Sequence, residues 1–127
     1  MRIKTFKELE VYKLSFDAAM RIFHLSTKFP RDEKYSLTDQ IRRSSRSVSA
    51  NISEAFSARR YEKNFISKLI IAQCEATETQ TWLDFALACN YINEKQHQEL
   101  YSEYNHIVAM IVNMYKNADK WIINPKE

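Results

Sequence analysis

The amino-acid sequence predicts an all-α chain, an antiparallel up-down-up-down four-helix bundle, on three observations. Apolar residues recur at intervals of three and four along four long segments, the period of a helix that buries one face. The 127 residues include no glycine and only Pro30 and Pro125 as breakers, against abundant Leu, Ile, Ala, Glu, Lys, Arg and Gln, a balance that favours helix over sheet. Short connections join the segments, so neighbours in sequence pack as antiparallel neighbours in space. A chain of this length closes around one core, and a single domain over residues 1–127 is expected.

Helix one is expected from about residue 7 to 28, after a short basic stretch, Met1 to Glu8, anchored by Phe6. Its inward stripe reads Leu9, Tyr12, Phe16, Ala19, Phe23 and Ser26, flanked by Leu14, Ala18, Ile22 and Leu25. Phe29-Pro30 ends it, because the residue before a proline is driven out of the helical region. Ser36 then offers a hydroxyl N-cap with Asp39 three residues on, a carboxylate variant of the capping box.

Helix two follows, from about 37 to 57, and its three faces differ. Leu37, Ile41, Ser45, Val48, Ile52 and Ala55 form the core face. Beside it runs a polar seam, Gln40, Arg43, Ser47, Asn51 and Glu54, whose members must find partners, since an unpaired buried polar group costs about 1–3 kcal/mol. The third face carries Arg42, Arg46, Ser49, Ser53 and Ser57: two arginines one turn apart among small hydroxyl residues, a surface suited to phosphates or acidic side chains. Residues 58–64 contain no breaker, so the turn into helix three is expected to use Ser57 or Asn64.

Helix three is expected over about 62–90, with Phe65, Leu69, Ala72, Ala76, Thr79, Leu83 and Ala86 as its core stripe. A second stripe, Ile71, Cys74, Trp82, Phe85 and Cys89, runs alongside, and Ile66 and Ile70 point away from both. A helix so apolar around its girth is buried on more than one side. With only four helices in the chain, the second partner expected is another copy, met through Ile66 and Ile70. Glu78, among Cys74, Trp82 and Phe85, calls for a cation or an amide donor, and Arg43 and Asn51 on helix two are the partners expected to complete the seam. Cys74 and Cys89 are too far apart along one helix to bridge, about 22 Å, and are expected to be buried free thiols.

Asn93 with Gln96 forms a capping box for helix four, expected to about residue 122. Leu100, Tyr104, Ile107, Ile111, Met114, Ala118 and Ile122 make the cleanest heptad in the chain. Trp121 is expected to close one end of the bundle, and Pro125 to Glu127 to form a tail.

Several function classes fall away. Walker loops, dinucleotide fingerprints and nucleophile elbows depend on glycine backbone, and there is none. Two Glu-x-x-His patterns occur, Glu94 to His97 and Glu103 to His106, but both lie on helix four, where they cannot face one another as a di-iron bundle requires. The serines between Ser44 and Ser57 have no His and Asp placed to activate them. No catalytic residue, metal or cofactor is expected. No run of 18 apolar residues and no signal-peptide core is present, so a cytoplasmic protein without a membrane partner is expected. Charge is uneven: Met1 to Asn64 holds 14 Lys or Arg against 8 Asp or Glu, and Phe65 to Glu127 holds 5 against 8. The basic half suggests an anionic partner, and Arg42, Arg46, Arg59, Arg60 and Lys63 are its densest region.

The run Gln40, Ile41, Arg42, Arg43, Ser47, Val48, Asn51, Ile52 and Glu54, read as Q-I-R-R-x-x-x-S-[IV]-x-x-N-I-x-E, resembles the bacterial four-helix-bundle family first described from open reading frames in intervening sequences of 23S ribosomal RNA genes, the S23 type. Phe29-Pro30, Glu33, Tyr35 and Leu37 before it, and Ile71-Ala72 and Glu78 after it, extend the resemblance to about residues 6–122. Members commonly carry glycine after that glutamate and again two residues on, where this chain has Ala55 and Ser57. The resemblance implies a homopentamer with a central channel. It also implies a link to nucleic acid, through ribosomal RNA intervening sequences and through a related bundle family that serves diversity-generating retroelements as a basic pentamer beside a reverse transcriptase.

The function expected is therefore that of a non-catalytic oligomer binding RNA or DNA through its basic surface, in sequence-tolerant, salt-sensitive fashion. The rival is a scaffold whose ring docks a protein partner, for example a reverse transcriptase, without touching nucleic acid.

Overall fold

The computed structural model describes residues 3–123, which form four α-helices and no strand: α1 (Glu10–Ser26), α2 (Leu37–Ser57), α3 (Glu62–Ala88) and α4 (Glu94–Lys116). Met1, Arg2 and the tail Pro125–Glu127 lie outside the described residues. α2 packs on α1 and α3, and α4 packs on the same two from the other side, so α1 and α3 are diagonal in a four-helix bundle. The core stripes read from α2, α3 and α4 are buried where periodicity places them; Val48, Ile52, Phe65, Leu69, Leu100, Ile107 and Ile111 are fully enclosed. No helix among the described residues is long and apolar enough to cross a membrane.

α1 departs from expectation in phase. Its buried stripe is Val11, Ser15, Ala18, Ile22 and Ser26, and Phe16, expected inside, is 48% exposed. The reason is close approach: the Ser15 and Ser49 hydroxyls meet at 2.9 Å across the α1–α2 seam. Small residues let the two backbones close, and the larger Tyr12 and Phe16 are displaced to the rim, where Tyr12 lies 5.0 Å from the Phe6 ring and 6.1 Å from Phe16. Ser49 is thus a buried seam residue and not part of an open phosphate-receiving face. On its other side α2 is tied to α3 by Ser44 and Thr79 at 2.8 Å.

The helix ends also differ. α1 starts at Glu10, after a 3-10 turn at Phe6–Glu8 whose Glu8 carboxylate accepts from the Lys4 and Thr5 N–H groups at 2.8 Å. Ser36 does not cap α2 through its own oxygen; it donates at 2.6 Å to Glu33 Oε1, and that same oxygen accepts the Leu37 N–H at 3.3 Å. A carboxylate from the preceding 3-10 turn does the capping, which the local Ser-x-x-Asp pattern does not foretell. The α2–α3 turn falls at Ala58–Tyr61, with neither Ser57 nor Asn64 supplying it. α3 ends at Ala88 in a Schellman closure: Asn90 sits at φ 63°, its N–H donates to Leu87 O, and the Tyr91 N–H donates to Ala86 O, each at 2.9 Å. In a chain without glycine, asparagine is the side chain that enters this left-handed well at least cost. α4 begins with the expected Asn93–Gln96 capping box but stops at Lys116, and a 3-10 turn at Ala118–Lys120 carries Trp121 and Ile122, half-buried, onto the core.

Cys74 and Cys89 are both exposed, contrary to expectation. The second stripe of α3 faces outward: Ile71 is 40% and Phe85 53% exposed, and only Trp82 is half-buried.

Candidate nucleic-acid interface

Arg42 and Arg46 lie one turn apart on α2 and lean over the ring of Phe23 on α1, at 4.8 and 5.8 Å from its centroid. Arg42 Nε also donates to Ser26 Oγ at 2.8 Å. Ring contact and hydrogen bond hold the side chains against α1, with Arg46 exposed and Arg42 half-buried. Among the described residues neither arginine forms an ion pair with a carboxylate. With Lys34, Tyr35, Thr38, Asp39 and Arg43 they border a surface depression of about 550 Å³.

Arg43, on the neighbouring stripe, turns toward α3. Its Nη2 donates to Glu78 Oε2 at 2.7 Å and to Gln40 Oε1 at 3.3 Å, and its Nη1 lies 3.8 Å from Glu75 Oε2. The Trp82 indole N–H also donates to Glu78 Oε2, at 3.2 Å. Glu78 therefore has a cation from α2 and a donor from its own helix. Glu75 escaped the sequence reading: its Oε2 is buried without a hydrogen-bond partner among the described residues, and desolvation, then the charge of Glu78, pushes its pKa above the usual carboxylate value against the pull of Arg43. Asn51, expected to reach Glu78, instead donates within α2 to Ser47 O and Oγ at 2.9 and 3.0 Å, and Glu54 faces Lys68 of α3 at 3.9 Å.

The cations at the α2–α3 junction form a separate group past the end of α2, which lies roughly 17 Å along that helix from Arg46 at 1.5 Å per residue. Arg60 and Lys63 are exposed. Arg59 is folded back: its guanidinium lies 3.6 Å from the Phe56 ring centroid, its Nε donates to Phe56 O at 2.8 Å, and its carbonyl accepts from the Ile123 N–H at 3.0 Å. Partial burial lowers its pKa, though a guanidinium stays charged. Of the five basic residues singled out, Arg46, Arg60 and Lys63 are exposed, Arg42 is half-buried beside Arg46, and Arg59 packs the junction.

On the outer side of α3, Ile70 is 43% exposed and lies with Ile71 and Cys74, whereas Ile66 is half-buried against its own core. The Glu-x-x-His pairs do not converge: His97 meets Asp84 at 2.7 Å across the α3–α4 seam. No group of three His, Cys, Asp or Glu among the described residues is placed to hold a metal ion.

Residues 7–113 match the model of the 23S rRNA-intervening sequence protein family. Among solved structures, a protein of unknown function from the S23 ribosomal protein family of Bacteroides thetaiotaomicron is 33% identical, with a TM-score of 0.76 over 84% of this chain and 95% of that one. No curated protein matches the chain.

Proposed function

The chain belongs to the 23S rRNA-intervening sequence protein family, and on that premise we propose that it is a non-catalytic homo-oligomeric bundle that binds RNA or DNA through the cationic face of α2. The observation that carries the reading is the pair Arg42 and Arg46, fixed on Phe23 and without a carboxylate partner among the described residues, with Lys34 beyond them. Arg43 and Arg21, by contrast, are paired with Glu78 and Glu99. Held guanidinium groups with N–H donors to spare are suited to phosphate oxygens, which position a nucleic acid without reading its sequence. Arg60 and Lys63 supply a second contact further along the same strand. The assembly proposed joins copies through the outer face of α3 around Ile70, so that a weak patch is repeated and gains avidity.

Salt dependence tests the reading. Affinity for RNA or DNA should fall steeply between about 50 and 200 mM salt, with a log–log slope of about −0.7 to −0.9 per phosphate neutralised. Replacing Arg42 and Arg46 by Glu should weaken binding about tenfold or more and flatten that slope; Arg60→Glu with Lys63→Glu should do so to a smaller extent. Salt-independent binding, or none at about 50 mM salt, would favour the protein-docking scaffold.

A further inference from the structure

Beside the cationic face lies a second feature that phosphate binding alone leaves unused. A cleft of about 540 Å³ opens between the start of α2 and the end of α3, lined by Glu33, Tyr35, Leu37, Gln40, Trp82 and Phe85. It falls within the range of about 300–1,000 Å³ that takes a small-molecule-sized group. Three aromatic rings border it: Tyr35 is 84% exposed, Phe85 is 53% exposed, and Trp82 lies 5.9 Å from Phe85. Trp82 is half-buried against the core, while Tyr35 and Phe85 keep most of their surface open to solvent.

Tyr35 belongs to the cleft and to the depression bordered by Arg42 and Arg46 alike, and Lys34 Nζ sits 5.2 Å from its ring centroid. The apolar floor and the cationic rim are therefore one continuous surface. Glu33, which lines the cleft, accepts from Ser36, Leu37 and Tyr91, and Glu78 accepts from Arg43 and Trp82, while the exposed Asp39 borders the adjoining depression. Gln40, at the floor, accepts from Arg43 through its oxygen, while its amide nitrogen makes no hydrogen bond among the described residues.

We propose that this cleft takes an unpaired base, so that the chain binds single-stranded nucleic acid in preference to duplex. The inference rests on the nucleic-acid reading above and narrows its substrate class. An unpaired base offers a flat face to Tyr35 and Phe85 and an edge to the Gln40 amide, while its phosphates run onto Arg42 and Arg46. A duplex keeps its bases stacked on one another and can use only the arginines. A protein partner would match the apolar floor but not the unpaired cations on the rim, and the Ile70 face lies about 22 Å further along α3.

The test compares a short single-stranded oligouridylate and oligothymidylate with a duplex of equal length, by fluorescence anisotropy at fixed low salt. Tyr35→Ala with Phe85→Ala should lower single-strand affinity about tenfold or more, leave duplex affinity within about twofold, and leave the salt slope unchanged. Both residues are largely exposed, so the variant keeps its fold, which circular dichroism checks. Unchanged single-strand affinity in this variant overturns the inference while leaving the arginine reading intact. A wild-type protein that binds neither single strand nor duplex overturns both. A variant whose particle mass falls in light scattering overturns it too, because the cleft is then covered by a second copy.

Discussion

At the scale of single residues, the Arg43–Glu78–Glu75 cluster is where charge and burial compete. Glu78 is well served, by Arg43 at 2.7 Å and by the Trp82 N–H. Glu75, one turn earlier on α3, shares the same cation only at 3.8 Å and has a buried oxygen with no donor among the described residues. Its folded-state pKa is raised above 4.5, first by desolvation and then by Glu78. A raised carboxylate contributes stability that is fully present below its unfolded value and lost as pH rises through the folded one. Glu75→Gln removes that loss, and the new amide can donate toward Glu78. The variant should be more stable than the parent at pH 7, by on the order of 0.5–1 kcal/mol, and indistinguishable below about pH 4. Arg43→Ala should do the reverse, leaving two carboxylates together and costing about 1–2 kcal/mol at pH 7 but much less in acid. Urea denaturation at the two pH values checks both; a Glu75→Gln that destabilises at pH 7 would mean the carboxylate has a donor after all.

At the scale of elements, what was legible in the sequence was periodicity, and what was not was capping and phase. α3 and α4 present their core stripes where a four-three spacing places them; in α4 the apolar residues segregate to that side, whereas α3 also carries Ile70, Ile71 and Phe85 on its exposed side. α1 has apolar residues on two overlapping lines, and the choice between them was made by Ser15 meeting Ser49, a contact between residues 34 apart that no local pattern encodes. The same holds for the start of α2, capped by Glu33 from outside the helix. Serine's hydroxyl, followed by that of Tyr91, holds the Glu33 pKa below 4.5, so its contribution is present above that value and lost as pH falls through the lower, folded one. Tyr91 feels the reciprocal effect and is pushed up to about 12, chiefly by its hydrogen bond to Glu33. Glu33→Gln should therefore cost about 1 kcal/mol at pH 7, in the range of a lost N-cap, and shrink the acid-induced loss of stability below pH 4.5. An unchanged thermal midpoint at pH 7 would show that Ser36 caps α2 without help. The candidate site divides the same way: the arginines were visible as a face of α2, but the openness of Tyr35 and Phe85 depends on how α3 ends against the start of α2.

At the scale of the whole molecule, the question is what covers the outside of α3. α1 and α3 are diagonal, so the outward side of α3 meets no helix of its own chain, yet it carries Ile70 and Ile71, each about 40% exposed, beside Cys74. Isoleucine side chains left in water forgo about 25 cal/mol for each Å² of apolar area that a second copy would cover. Acidic replacement reverses that preference, because repeated carboxylates would meet across every contact. On the proposed assembly, Ile70→Glu with Ile71→Glu should convert a particle several times 15.1 kDa into one of 15.1 kDa while leaving helix content unchanged, since both side chains lie outside the core. The coupling to function is the sharper prediction. Each released copy keeps Arg42, Arg46 and the cleft, so a short oligonucleotide that spans one site should bind as before. A long strand should lose about a hundredfold or more in apparent affinity once its sites are no longer linked. Light scattering and anisotropy on the two lengths separate the terms: a parent particle already at 15.1 kDa removes the oligomer, and equal losses for short and long strands remove the avidity.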